Sequence, residues 1–169
     1  MKKKIIGGLA KSAPPLDLFT DGNTPYYYLD GALGGDITPD PSVLGRGGRI
    51  RMRLTAKVAG ITGTFSFVLG SSPSITLPTT TPTNGFIFLE LEFFSLGYIP
   101  PGSIWPGTSE VYYVGTYIGG DGAVQQITGL LGSMLNDLHI SDITPTPSPT
   151  GPNQMIFSLG EFTYEEVEA

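Results

Sequence analysis

The 169-residue chain has no cysteine, and that absence closes several routes at once. Disulfides, thiolate nucleophiles and cysteine-based zinc sites are excluded. Histidine occurs once, at His139, inside an apolar run with no serine or cysteine in a recognisable nucleophile motif, so a core or surface role suits it better than that of a catalytic base. Gly-x-Ser-x-Gly, a phosphate-binding loop and HExxH are all missing. No apolar run approaches the roughly 20 residues of a membrane-spanning helix. The start, Met1 to Lys11, opens like a signal peptide, but its apolar stretch Ile5–Ala10 falls short of the 7–15 residues needed, and Lys11 then interrupts it.

Charge is also scarce. Asp, Glu, Lys and Arg make up 14% of the chain, against about 25% in ordinary soluble domains, which suits a surface partly hidden in an assembly. Basic residues stop at Lys57: residues 1–57 carry nine basic and five acidic groups, and residues 58–169 carry none and ten. A body this acidic repels nucleic acid, leaving the Lys2-Lys3-Lys4 run as the sole candidate contact with a polyanion. Neither nucleic acid nor membrane is expected as a partner.

What the chain does have is 24 glycines and 15 prolines among plentiful β-branched and aromatic residues, the composition of short strands joined by turns. The organising stretch is Arg49-Ile50-Arg51-Met52-Arg53-Leu54-Thr55-Ala56-Lys57-Val58. Its period of two places Ile50, Met52, Leu54, Ala56 and Val58 on one face and the cations on the other, the pattern of a half-buried strand. A second long strand, Phe86 to Phe94, turns Ile87, Leu89, Leu91 and Phe93 inward and Phe86, Phe88, Glu90, Glu92 and Phe94 outward. Glu110 to Ile118 is a third strand, apolar on both faces, which Gly119-Gly120-Asp121-Gly122 turns into a hairpin with Ala123–Thr128. Leu130–Leu135 fits either a helical turn or a loop.

Thr64–Leu69 is expected to form a hairpin with the Arg strand through the Gly60–Gly63 turn. Residues 31–48 and the polar stretch 70–85 are expected as loops, as is Pro145–Pro152. Leu138-His139-Ile140 begins another strand, and the last one, Met155–Glu165, carries a bulge at Gly160. Tyr26–Leu29 is a short β-prone run. Residues 1–25 form an extended arm with no paired strand, because Pro14-Pro15 and Pro25 block a helix and the apolar residues follow no period. The chain therefore divides into an N-terminal anchoring arm, 1–25, and a domain, 26–169. The fold expected is all-β, an antiparallel β-sandwich of jelly-roll type. Glu90/Glu92 and Glu161/Glu165 have the spacing to face Arg51/Arg53 across a ladder.

Chemistry is thin. Glu90 and Glu92 stand roughly 6–7 Å apart along a strand, a separation open to a glycosidase pair, but ion pairing to the Arg strand explains them better. Asp30, Asp36, Asp40 and Asp121 lie in turn sequences without the close oxygen spacing of a calcium loop. Trp105, Tyr113 and Tyr117 can form a ligand platform or, equally, core and subunit contacts. No catalytic residue, cofactor or metal site is expected, and the chain does not read as an enzyme.

The order of elements resembles a class of small β-sandwich virion proteins of tailed bacteriophages. The resemblance rests on the "vRvRawG"-type strand at Gly48–Ala56, the "l.F.f.lG"-type strand at Thr64–Gly70, the "pF.le..l..r..G"-type strand at Gly85–Gly97 and a C-terminal strand at Asn153–Glu165. Phe94-Ser95 stands where that class usually carries a basic residue. The resemblance implies a non-enzymatic structural role on the virion, as a homotrimeric head decoration, head fibre or tail-associated protein bound to the major capsid or another virion protein. Particle anchoring would fall to arm residues Lys2, Lys3, Lys4, Ile5, Ile6 and Leu9, and the subunit interface to Phe86, Phe88, Phe94, Tyr112, Val114 and Ile118. The alternative is a receptor-binding module at a fibre tip that recognises a host surface glycan.

Overall fold

The computed structural model describes residues 3–5, 16–17, 27–28, 39–59, 63–70, 72–96, 110–136, 139–146 and 156–169. Lys2, Ile6, Leu9, Asp30, Asp36 and Trp105 lie outside the described residues.

The Arg strand β4 (Arg49–Ala59) is central. It lies between β7 (Phe86–Ser95) and β11 (Ile156–Val167), both antiparallel to it. The acid-bearing strands therefore flank the cationic one, as the charge map implies. Beyond β7 come β8 (Val111–Ile118) and β9 (Val124–Leu131), joined by the expected glycine-rich turn. On the far side, β1 (Lys3–Ile5) and β2 (Leu16–Asp17) both pair with β11, completing a seven-stranded sheet in the order β1-β11-β4-β7-β8-β9. The β11 register slips between Leu159 and Glu161, which places the bulge at Gly160.

A second sheet has the order β3-β10-β5-β6, made of β3 (Tyr27–Tyr28), β10 (His139–Thr146), β5 (Thr64–Leu69) and β6 (Ile75–Thr76). Phe65, Phe67 and Leu69 of β5, with Ile75 and Leu77 around β6, share one buried cluster with the inward residues of β4, β7, β8 and β11. Phe67 meets Tyr117 edge-on across the layers, with ring centroids 5.9 Å apart. The architecture is the all-β sandwich expected. One short helix, α1 (Ser42–Gly45), buries Val43 and Leu44. Its first turn is fixed by Asp40, whose carboxylate accepts from the Ser42 backbone N–H at 2.9 Å.

Besides α1, which stands within the stretch 31–48 expected as loop, four local expectations need correction. β4 and β5 do not form a hairpin: β7 and β11 occupy both edges of β4, and β5 crosses to the opposite sheet to pair with β10 and β6. There Phe65 and Phe67 close the core from the other side, burying more apolar surface than a place beside β4 would allow. Stretch 70–85 is not merely a loop, since Ile75 and Leu77 are buried. Leu130 and Leu131 are the end of β9 rather than a helical turn or loop. The arm is not wholly unpaired, because Lys3, Lys4 and Ile5 align with Val167, Glu166 and Glu165.

β10 also runs through Pro145, which would be costly at a hydrogen-bonded sheet position. Pro145 sits opposite Phe65, whose N–H and C=O instead bond the Thr80 backbone at 2.8 and 2.9 Å on the other side. The missing proline donor therefore takes nothing from that ladder.

Candidate functional site

The register of the larger sheet determines its outer face. Across β11, β4, β7, β8 and β9, one row reads Glu165, Arg51, Glu92, Val114 and Thr128, and the next Thr163, Arg53, Glu90, Thr116 and Gln126. These two rows form a polar centre with an open trough of about 590 Å³ running over it.

Glu92 is the electrostatic hub of this centre. Arg51 Nε donates to it at 2.7 Å, and Arg49 Nη1 reaches its other carboxylate oxygen from one row away. Partial burial by itself would raise the Glu92 pKa, but the two arginine hydrogen bonds and charges outweigh it and hold the carboxyl below the usual carboxylate range. Arg53 lies 4.0 Å from Glu161 and over the Phe88 ring at 5.2 Å from its centroid. Glu90 faces Arg53 in register, yet it is exposed and no ion pair ties it to that residue. Glu92 and Glu161 thus serve the Arg strand while Glu90 does not pair with it as expected, and Glu90 and Glu92 lie on one face without the opposed-wall geometry of a glycosidase.

Apolar side chains border the polar centre on both sides. On one, Phe94 stacks on Tyr112 with centroids 5.8 Å apart and 20° between planes, next to Leu130. On the other, Phe88, Ile118 and Val124 lie in line, with Phe86 beyond. Phe86 is 46% exposed, Val114 42%, Leu130 58% and Val124 64%. The interface residues named from sequence, Phe86, Phe88, Phe94, Tyr112, Val114 and Ile118, are therefore brought onto one face. Val124 and Leu130 belong with them and were missed. Their signal was the alternation Val124, Gln126, Thr128, Leu130, which ends in the Leu-Leu pair.

Two of the three residues expected to form a ligand platform turn inward, and the third, Trp105, lies outside the described residues. Tyr117 is fully buried in the core, which removes it from any ligand-facing role. Burial drives its hydroxyl pKa well above the ordinary value, the nearby Asp121 charge adds to the effect, and its oxygen has no hydrogen-bond partner among the described residues. Tyr113 also turns to the inner side, packed on the core and tilted against Phe93 with centroids 6.4 Å apart. Its ring covers Gly129, where a Cβ would come within 2.6 Å of Cε1. Asp121 serves its turn, accepting from the Ala123 N–H at 2.9 Å. Among the described residues no three His, Asp or Glu side chains come together as a metal site.

No family model matches the chain, and no curated protein matches it. Among solved structures, the crystal structure of the botulinum neurotoxin serotype C1 binding domain aligns at 9% identity and a TM-score of 0.31, over 97% of this chain and 48% of that one. The chain thus spans about half the length of the toxin domain, and a likeness at that TM-score carries no argument.

Proposed function

We propose that this chain is a non-enzymatic structural protein that assembles with copies of itself through the outer face of its larger sheet. The observation that carries the reading is that face: exposed Phe86, Val114, Val124 and Leu130, with the half-buried Phe88, Phe94, Tyr112 and Ile118, surround a charged centre. So many large apolar groups on one surface are a liability in a free monomer and an asset in an interface. Fully burying such a side chain is worth about 1.5–3 kcal/mol, and with roughly half of that still to be gained at the four exposed residues and a smaller share at the four half-buried ones, their sum offsets the entropy lost on association. The finer form of the proposal follows the strand-pattern resemblance: a virion protein of a tailed phage, a homotrimeric head decoration or fibre, with residues 1–25 contributing to particle attachment. The glycan-binding alternative loses Tyr117, which belongs to the core, and no observation favours it.

The test is the mass in solution, by analytical ultracentrifugation at micromolar concentration. The wild-type chain should sediment as a closed oligomer, Phe88→Asp as a smaller species that has lost outer-face assembly or as misassembled protein, and Arg51→Ala largely as wild type. A stable wild-type monomer would sink the assembly reading. Full attachment to particles by a chain lacking residues 1–25 would sink the anchoring role.

A further inference from the structure

Edge strands offer unpaired backbone groups to any other chain, and proteins blunt them by shortness, charge, proline or bulges. Four of the strands at sheet margins here are short: β1 has three residues, two of them lysines, and β2, β3 and β6 have two each. β9 differs. Its eight residues, Val-Gln-Gln-Ile-Thr-Gly-Leu-Leu, include no charge and no proline. They pair with β8 in eight consecutive steps without a register shift, and among the described residues β9 has no strand on its other side.

The β9 sequence is also self-complementary. In an antiparallel pair centred on Ile127, that residue faces Ile127 of the second copy, Gln126 faces Thr128, Val124 faces Leu130 and Gln125 faces Gly129. On the outer face, apolar meets apolar, amide meets hydroxyl, and no like charges oppose one another. Centring on Gln126 instead would set Val124 against Thr128 and leave Leu130 unmatched, and centring on Thr128 would set Gln126 against Leu130. A slip by one residue would oppose outer to inner side chains.

We propose that β9 is a two-fold seam, at which a second copy of this chain adds its own β9 in the Ile127-centred register and continues the larger sheet across both copies. The seam uses the strand edge and not the outer face, so it stands or falls apart from the assembly proposed above.

The absence of cysteine makes the test specific. Directly opposed residues of an antiparallel pair have Cβ atoms about 4.5–5.5 Å apart, close enough for a disulfide after a small adjustment. Ile127→Cys should therefore oxidise to a covalent dimer, seen as a doubling of mass on a non-reducing gel. In the Phe88→Asp background, where outer-face assembly is lost, Gln126→Cys alone and Thr128→Cys alone should remain monomeric on the same gel, whereas an oxidised mixture of the two should give the cross-linked heterodimer. That mixture tests the seam at exposed positions even if Ile127→Cys, which packs on the core, folds poorly. The Ile127→Cys cross-link should also persist in the Phe88→Asp background. Absence of the heterodimer from the mixture would overturn the seam, self-linking of Gln126→Cys would overturn the register, and loss of cross-linking with Phe88→Asp would overturn its independence.

Discussion

Leu91→Ala probes the register on which both the core and the outer face depend. Leu91 has no exposed surface, and the substitution removes three of its carbons. At about 0.8 kcal/mol per buried CH2, the transfer loss is about 2.4 kcal/mol. The cavity left behind adds to that, by an amount set by how well the neighbours can close it. Leu91 lies opposite Met52 on one side and Gly115 on the other. A Cβ at position 115 would stand 2.9 Å from Leu91 Cδ2, so Leu91 fills volume that the glycine leaves open and β8 supplies no side chain to refill it. The total expected is about 3–5 kcal/mol. Urea unfolding at one protein concentration, chosen because association feeds into apparent stability, should show a lower midpoint at unchanged m-value. The thermal midpoint should fall by about 6–20 °C. A loss below about 1 kcal/mol would refute the reasoning, since it is the cost expected of a surface leucine and would mean that β7 presents the opposite face to the core.

Two further outcomes follow from the same ladders. Gly115→Ala places a Cβ 2.0 Å from the Glu90 carbonyl oxygen, so β7 and β8 must shift. The cost should be about 1–3 kcal/mol in the same unfolding assay, and an unchanged midpoint would contradict the close approach. Glu92→Gln removes a carboxylate whose folded pKa is depressed below its reference value of 4.5. Its contribution is present above that value and lost as pH falls through the lower folded value. Because both arginines are about half exposed, the stability difference between wild type and variant should be below about 1 kcal/mol at pH 7. It should shrink towards zero in acid, and a difference that instead grew on acidification would show that the arginine contacts do not stabilise the charged form.

Where a local pattern carries the information, the sequence was sufficient. Alternation in Arg49–Val58 and Phe86–Phe94 decides which side chains are buried, because successive residues of a strand point to opposite faces whatever the partner. Cations on one strand and carboxylates on two others imply that β7 and β11 flank β4, since unlike charges stabilise neighbouring positions. Gly160 marks its bulge for a similarly local reason, as a glycine interrupting an otherwise regular strand.

Other features needed the folded chain. β8 is apolar on both faces, so its own sequence does not say which side is buried. Pairing with β7 decides it: Phe93 beside Tyr113 and Glu92 beside Val114 send the odd-numbered residues inward, which buries Tyr117 and withdraws it from any ligand platform. The separation of β4 from β5 was likewise invisible, because a short connection suits a hairpin and a sheet-to-sheet crossing equally well. The choice falls to β7 and β11, distant in sequence, which occupy both edges of β4 and leave β5 to bury Phe65 and Phe67 from across the core. The outward place of Val124 and Leu130 depends in turn on the β8 register, so the full extent of the apolar surface exists only once the ladder is assembled.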